Sequence, residues 1–297
     1  MMATTHPFSG KILDETALQL GEGPTYDAAT DTAWWFNILG KELHELQLTS
    51  GRKTVHKLPF MASVLARIDD ERQLIASEHG LFLRQIATGE LTHHADFEPG
   101  MPGNRSNDGR VHASGALWIG TMGKSAEDGA GGIYHVANGT VTTLFDNISI
   151  PNSICFSPNG TTAYYTDTKV NKLMSVAVDP ATGLPIAKPA VLVDASDDDA
   201  GIDGSVCDKN GDIWNAKWGA GSVARYSASG QLLERYSVPG LQTTCPAFLG
   251  KNADRLLVTS AFDGMADAGL APDALQGATF DLGIEVNGVH DFAYRLS

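Results

Sequence analysis

Short apolar cores recur along this chain at nearly even spacing, each preceded by a polar turn. They read Trp34-Trp35-Phe36, Leu74-Ile75-Ala76, Leu117-Trp118-Ile119, Tyr164-Tyr165-Thr166, Ile213-Trp214-Asn215 and Leu256-Leu257-Val258. Steps between their middle residues are 40, 43, 47, 49 and 43. Between the cores lie alternating runs broken by glycine turns, such as Ile133 to Val136 and Val141 to Leu144 around Asn138-Gly139, a hairpin signal. Helical periodicity is nearly absent; Asp263 to Gln276 hints at a helix but is interrupted by glycines and Pro272, and reads as a loop. A four-stranded unit repeating every ~40 to 50 residues is the signature of a propeller blade. The pattern therefore predicts an all-β chain, a single domain over residues 1–297 built as a six-bladed β-propeller. Open edges are costly, so Lys11 to Leu20 and Phe292 to Leu296 are expected to pair and close the ring.

The period is also a map of convergence, because equivalent positions of successive blades lie side by side around a central channel. The positions 11 to 13 residues before each core include Glu22, Ala62, Asn107, Asn152, Asp203 and Cys245. Two carboxylates and two amides thus fall in register. Asp and Asn commonly serve turns, but oxygens converging from distant segments are what a hard divalent cation needs in place of its water shell. The map predicts a metal in the central channel.

Composition narrows the classes this site can belong to. The chain has 297 residues, 42% of them hydrophobic and 19% charged, the balance of a globular protein. The net charge of −14 without a basic cluster argues against a nucleic-acid partner. Cys155, Cys207 and Cys245 are odd in number and form no C-x-x-C pair, so buried free thiols are expected rather than a disulfide framework. Met1 to Lys11 lacks the apolar stretch of a secretory signal, and no run approaches a membrane span. The expected setting is the cytoplasm, with no membrane partner; the sequence is silent on oligomeric state.

The segments around the converging oxygens carry a further signal. Gly21-Glu22-Gly23-Pro24 opens the first unit, and Asn104-Arg105-Ser106-Asn107-Asp108 precedes Leu117-Trp118-Ile119-Gly120-Thr121-Met122. Pro151-Asn152-Ser153 leads to Tyr165-Thr166-Asp167-Thr168, and Asp203-Gly204-Ser205 leads to Trp214. From about residue 20 to about residue 260, this ordered set resembles the senescence marker protein 30, gluconolactonase and luciferin-regenerating-enzyme family. The resemblance implies a lactonase with one divalent metal, whose ligands match Glu22, Asn152 and Asp203, and with Arg105 and Asn107 holding the substrate's oxygens. Two departures stand out: Ile202 replaces the usual proline before the aspartate, and Gly123-Lys124-Ser125 stands where some relatives are acidic. The second departure suggests a different specificity loop, with Lys124 within reach of a substrate group.

The chemistry implied is hydrolysis of a sugar (aldono) lactone to the aldonic acid. The metal, which could be Ca²⁺, Zn²⁺, Mg²⁺, Mn²⁺ or Fe²⁺ on this donor set, would polarise the carbonyl and activate water. Asp203 is the expected acceptor of the water proton, with Arg105 and Asn107 orienting the ring. The alternatives are a non-enzymatic propeller scaffold and a calcium-binding regulator. Rival catalytic arrangements are absent: there is no Gly-x-Ser-x-Gly elbow, no H-x-x-x-H pattern and no phosphate-binding glycine loop.

Overall fold

The computed structural model describes residues 3–266, 269 and 275–296. Much of the expected 263–276 loop lies outside the described residues. Among the described residues there is no helix, so none is long and apolar enough to cross a membrane. Two short strands come first, β1 (Thr4–His6) and β2 (Lys11–Asp14). Four antiparallel meanders follow. The first is β3 (Gly21–Asp27), β4 (Thr32–Asn37), β5 (Glu42–Gln47) and β6 (Arg52–Lys57); the second is β7 (Ala62–Arg67), β8 (Arg72–Ser77), β9 (Gly80–Gln85) and β10 (Leu91–Ala95). The third is β11 (Asn104–Val111), β12 (Leu117–Gly123), β13 (Gly131–Ala137) and β14 (Thr140–Ile148). The fourth is β15 (Pro151–Phe156), β16 (Thr162–Asp167), β17 (Lys172–Ala177) and β18 (Ala190–Asp194). The remaining strands are β19 (Gly201–Cys207), β20 (Ile213–Trp218), β21 (Ser222–Tyr226), β22 (Leu232–Ser237), β23 (Gln242–Leu249), β24 (Arg255–Ala261) and β25 (Thr279–Asp281).

The all-β expectation stands, but the six-bladed closed ring does not. The strands form four four-stranded sheets and one nine-stranded sheet. The fusion has a local cause: Trp218 at the end of β20 pairs with Gln242 at the start of β23, which joins two groups that the repeat separates. Closure also differs. The two ends of the large sheet are capped by N-terminal strands, β2 antiparallel to β25 at one and β1 parallel to β22 at the other. The tail from Phe292 to Leu296 forms no strand. Instead Tyr294 is buried among Val64, Leu74, Leu117 and Ile119, between the second and third sheets. Its amide donates to Arg67 O at 2.8 Å, and that of Arg295 donates to Gly115 O at 3.0 Å. Burial of the Tyr294 ring removes a large apolar area from water and anchors the tail between these sheets.

The apolar cores are the second strands β4, β8, β12, β16, β20 and β24, whose side chains fill the spaces between neighbouring sheets. Trp35 and Trp118 are fully buried, and the indole N–H groups of Trp118 and Trp214 are satisfied by Gly183 O at 2.9 Å and Asp208 Oδ2 at 3.0 Å. Trp218 packs against a cluster containing Leu20, Trp34 and Phe36. All three cysteines are buried and unpaired.

The strands that position the site are β3, β7, β11, β15, β19 and β23. Each contacts the next, and β23 contacts β3. Every one breaks register with its partner near its first residues: between Glu22 and Thr25, Ala62 and Val64, Ser106 and Gly109, Asn152 and Cys155, Ile202 and Ser205, and Thr243 and Pro246. A bulge re-aims the side chains beside it. The positions picked out by the sequence period are therefore the bulge positions.

Candidate metal and substrate site

Glu22, Asn107, Asn152 and Asp203 sit at these bulges, Arg105 pairs regularly with Met122 just before one of them, and all five are buried. Local backbone geometry holds them. Gly23, just after Glu22, has φ +54°, and a Cβ there would lie 1.9 Å from Ser63 O. Only glycine fits. Ser153, just after Asn152, has φ 58°, an uncommon conformation for a residue with a Cβ. Its hydroxyl lies 2.6 Å from Asp203 O and 2.7 Å from Ser205 Oγ, and Asn215 Nδ2 approaches it at 3.1 Å. Those bonds hold the strained residue and tie β15 to β19.

A single chain of hydrogen bonds crosses the site. Arg105 Nη1 donates to Asn107 Oδ1 at 2.7 Å, and Asn107 Nδ2 donates to Asn152 Oδ1 at 2.9 Å. Asn152 Nδ2 donates to Thr168 Oγ1 at 2.9 Å, and Thr168 Oγ1 donates to Ile202 O at 2.7 Å, beside Asp203. Thus β11, β15, the turn after β16 and β19 are linked in sequence. Glu22 joins through charge: Asp108 and Arg105 both influence its carboxyl. Its Oε2 also accepts the Gly23 N–H at 3.0 Å.

The electrostatics are those of a site short of positive charge. Burial, then the neighbouring Asp108, push the Glu22 carboxyl up to about 8. Burial, then Glu22 and Asp108, raise Asp203 well above the ordinary carboxylate range. Burial alone raises Asp108, against the pull of Arg110 and two backbone N–H bonds. Arg105 is the one guanidinium acting on both Glu22 and Asp203, and burial lowers it to about 10. Asp203 Oδ1 is buried with no hydrogen-bond partner. An orphaned carboxylate oxygen beside two other buried carboxylates is costly, and a cation would offset that cost. Among the described residues no three His, Cys, Asp or Glu side chains are placed to hold a metal together; the set that fits is two carboxylates and the Asn152 amide oxygen, an all-oxygen donor set suited to a hard cation.

Two residues that the period did not select belong here. Asp108 accepts the N–H groups of Gly109 at 2.8 Å and Ile154 at 2.7 Å, bridging β11 to β15. Thr168 closes the polar chain. Both lie inside the motifs quoted above, Asn104 to Asp108 and Tyr165 to Thr168, and that adjacency was their one sequence signal. Lys124 is already engaged: its ammonium lies 2.7 Å from Glu78 Oε2 and donates to Pro102 O at 2.8 Å. It fastens the segment before Arg105 rather than projecting freely toward a substrate. A cavity of about 210 Å³, lined by Gly23, Asp108, Arg110 and His290, adjoins the site, but Arg105, Asn107, Asn152 and Asp203 do not line it.

The profile of the SMP-30/Gluconolactonase/LRE-like region matches residues 20–262. The chain belongs to that family. It is 60% identical over 290 residues to a Rhizobium meliloti protein named "Putative sugar lactone lactonase", covering 98% of each chain. It is 33% identical to the L-arabinolactonase of Azospirillum brasilense, covering 94% of this chain and 93% of that one. Among solved structures, a calcium-binding protein, regucalcin, from Agrobacterium tumefaciens superposes with a TM-score of 0.98 at 62% identity, covering 99% of this chain and 100% of that one.

Proposed function

We propose that this chain hydrolyses a sugar lactone to the open aldonic acid, and that Glu22, Asn152 and Asp203 hold one divalent cation for that purpose. Family membership and full-length similarity to named lactonases support the reaction class. The observation that carries the site assignment is the unpartnered Asp203 Oδ1, buried among carboxylates that repel it. When bound, the cation supplies a Lewis acid for the lactone carbonyl and lowers the pKa of water. Calcium fits the oxygen donors, and the similar regucalcin is described as calcium-binding; Mg²⁺, Mn²⁺, Zn²⁺ and Fe²⁺ are admitted by the same donors.

The chain's own residues do the rest. Arg105 directs donors at the lactone's oxygens, and its Nη1 bond to Asn107 holds the guanidinium in one orientation. Asn107 is itself held, with Nδ2 bonded to Pro151 O and Asn152 Oδ1, both at 2.9 Å. Fixing the ring relative to the attacking water lowers the barrier by removing orientational freedom. The Asp203 carboxylate accepts the proton of the water as the water oxygen bonds to the carbonyl carbon. The ring C–O bond then breaks, and the same carboxyl returns the proton to the departing ring oxygen.

Asp203→Asn keeps the size of the side chain and removes the base and the anionic charge. We expect kcat on sugar lactones to fall by at least ~10², with far-UV circular dichroism unchanged. Turnover near wild type in that variant would remove Asp203 from the mechanism. A calcium-binding regulator without enzymatic activity would instead bind the ion and leave every lactone at its spontaneous rate.

A further inference from the structure

The polar chain across the site has a direction. Arg105 can only donate, and Ile202 O, a carbonyl, can only accept. Every bond between them is thereby assigned. The Thr168 hydroxyl gives its one proton to Ile202 O at 2.7 Å, so it must accept from Asn152. Asn152 therefore presents Nδ2 to Thr168 and Oδ1 to the opposite side. There Asn107 Nδ2 reaches it, and Asn107 is turned that way because Arg105 Nη1 occupies its Oδ1. Amide orientation is ordinarily an assignment made from such a network; here both ends of the network permit one answer. Thr168 is itself anchored by its backbone, whose N–H donates to Ile150 O at 2.9 Å.

We infer that Thr168 is a positioning residue for the cation: its hydroxyl locks the Asn152 amide with Oδ1, and not Nδ2, toward the metal position. The inference rests on the reading of Asn152 as a ligand. An amide oxygen can coordinate a cation while its second lone pair accepts a hydrogen bond, whereas the NH₂ group has no lone pair to offer. Groups that orient a ligand without touching the metal alter its affinity substantially. Because Thr168 also bonds to the carbonyl before Asp203, the same hydroxyl holds the spacing between the Asn152 and Asp203 ligands.

The test is calorimetric titration of Ca²⁺ alone into chelator-treated full-length protein, with no substrate present. Four proteins are compared: wild type, Asn152→Ala, Thr168→Val and Thr168→Ser. Thr168→Val keeps the shape of the side chain and deletes the hydroxyl, leaving Asn107 alone to resist rotation of the amide. The expected result is a Kd raised by ~10- to 100-fold in Thr168→Val, a comparable or larger loss in Asn152→Ala, and near-wild-type affinity in Thr168→Ser. Melting curves of the metal-free variants identify any loss that comes from unfolding; a Thr168→Val that melts early moves the comparison to the pair Thr168→Ser and Thr168→Ala. Unchanged affinity in Thr168→Val beside a weakened Asn152→Ala overturns the positioning role and leaves the ligand reading intact. So does a Thr168→Ser as weak as Thr168→Val. Unchanged affinity in Asn152→Ala, or a wild type that binds neither Ca²⁺ nor, in repeat titrations, Mg²⁺, Mn²⁺, Zn²⁺ or Fe²⁺, overturns the ligand reading and this inference together.

Discussion

At the residue scale the site is defined by charges that the fold cannot satisfy by itself. The Glu22 carboxyl is pushed up to about 8 by burial first and by Asp108 second. Its folded value lies above the ordinary 4.5, so the metal-free fold favours the neutral acid. This contribution to stability is whole below pH 4.5 and is lost as pH rises through about 8. Asp203, raised in the same direction, adds to the effect. A bound cation reverses the balance, because it favours the ionised forms. Thermal melting of chelated protein should therefore show Tm falling between pH 5.5 and 8.5, and added Ca²⁺ should raise Tm more at the higher pH. A chelated protein equally stable at both ends, with no response to the ion, would contradict the assignment. Glu22, Asn107, Asn152 and Asp203 were legible in the sequence because each falls 11 to 13 residues before a strand core. Thr168 and Asp108 were not. Their contributions depend on which way a hydrogen bond points across strands and on which backbone N–H lies opposite a carboxylate, and neither follows from a period.

At the scale of single elements, the bulges at the starts of β3, β11, β15 and β19 decide where the side chains point. Gly23 is the clearest case. Its φ of +54° and the 1.9 Å approach of Ser63 O leave no space for a Cβ, and the obstructing atom belongs to the backbone. Gly23→Ala should cost about 2 kcal/mol or more in chemical denaturation and weaken Ca²⁺ binding by displacing Glu22. A variant with wild-type stability and affinity would show that the bulge does not hold Glu22 in place. The strand cores themselves were readable from alternation and turn chemistry, since each is short, apolar and preceded by a polar turn. The short partners β1, β2 and β25, of three, four and three residues, carry too few positions to show alternation. Their pairing is fixed by tertiary contacts. For the same reason the tail, with its buried Tyr294, was read as an edge strand although it is an anchor between two other sheets.

For the whole molecule, the repeat predicted six equal units, and the structure has four four-stranded sheets with a nine-stranded one. One backbone pair, Trp218 with Gln242, makes the difference; no pattern of apolar and polar residues encodes a single bridge. The arrangement of the first strands survives this fusion, because β19 and β23 still pack against their neighbours in turn. Convergence of the site residues depends on that packing and not on the number of separate sheets. This is why the convergence of these side chains could be read from the period while the sheet count could not. We propose that this arrangement makes a cation-dependent sugar lactonase. The most direct test is proton release from a panel of pentono- and hexonolactones, using chelated protein and protein refilled with Ca²⁺, Mg²⁺, Mn²⁺, Zn²⁺ or Fe²⁺, with spontaneous hydrolysis subtracted. The expected result is turnover that chelation abolishes, that at least one cation restores, and that Asp203→Asn lacks in every refill. Lactone hydrolysis that persists undiminished after complete removal of metal, or no rate above background in any combination, would contradict it.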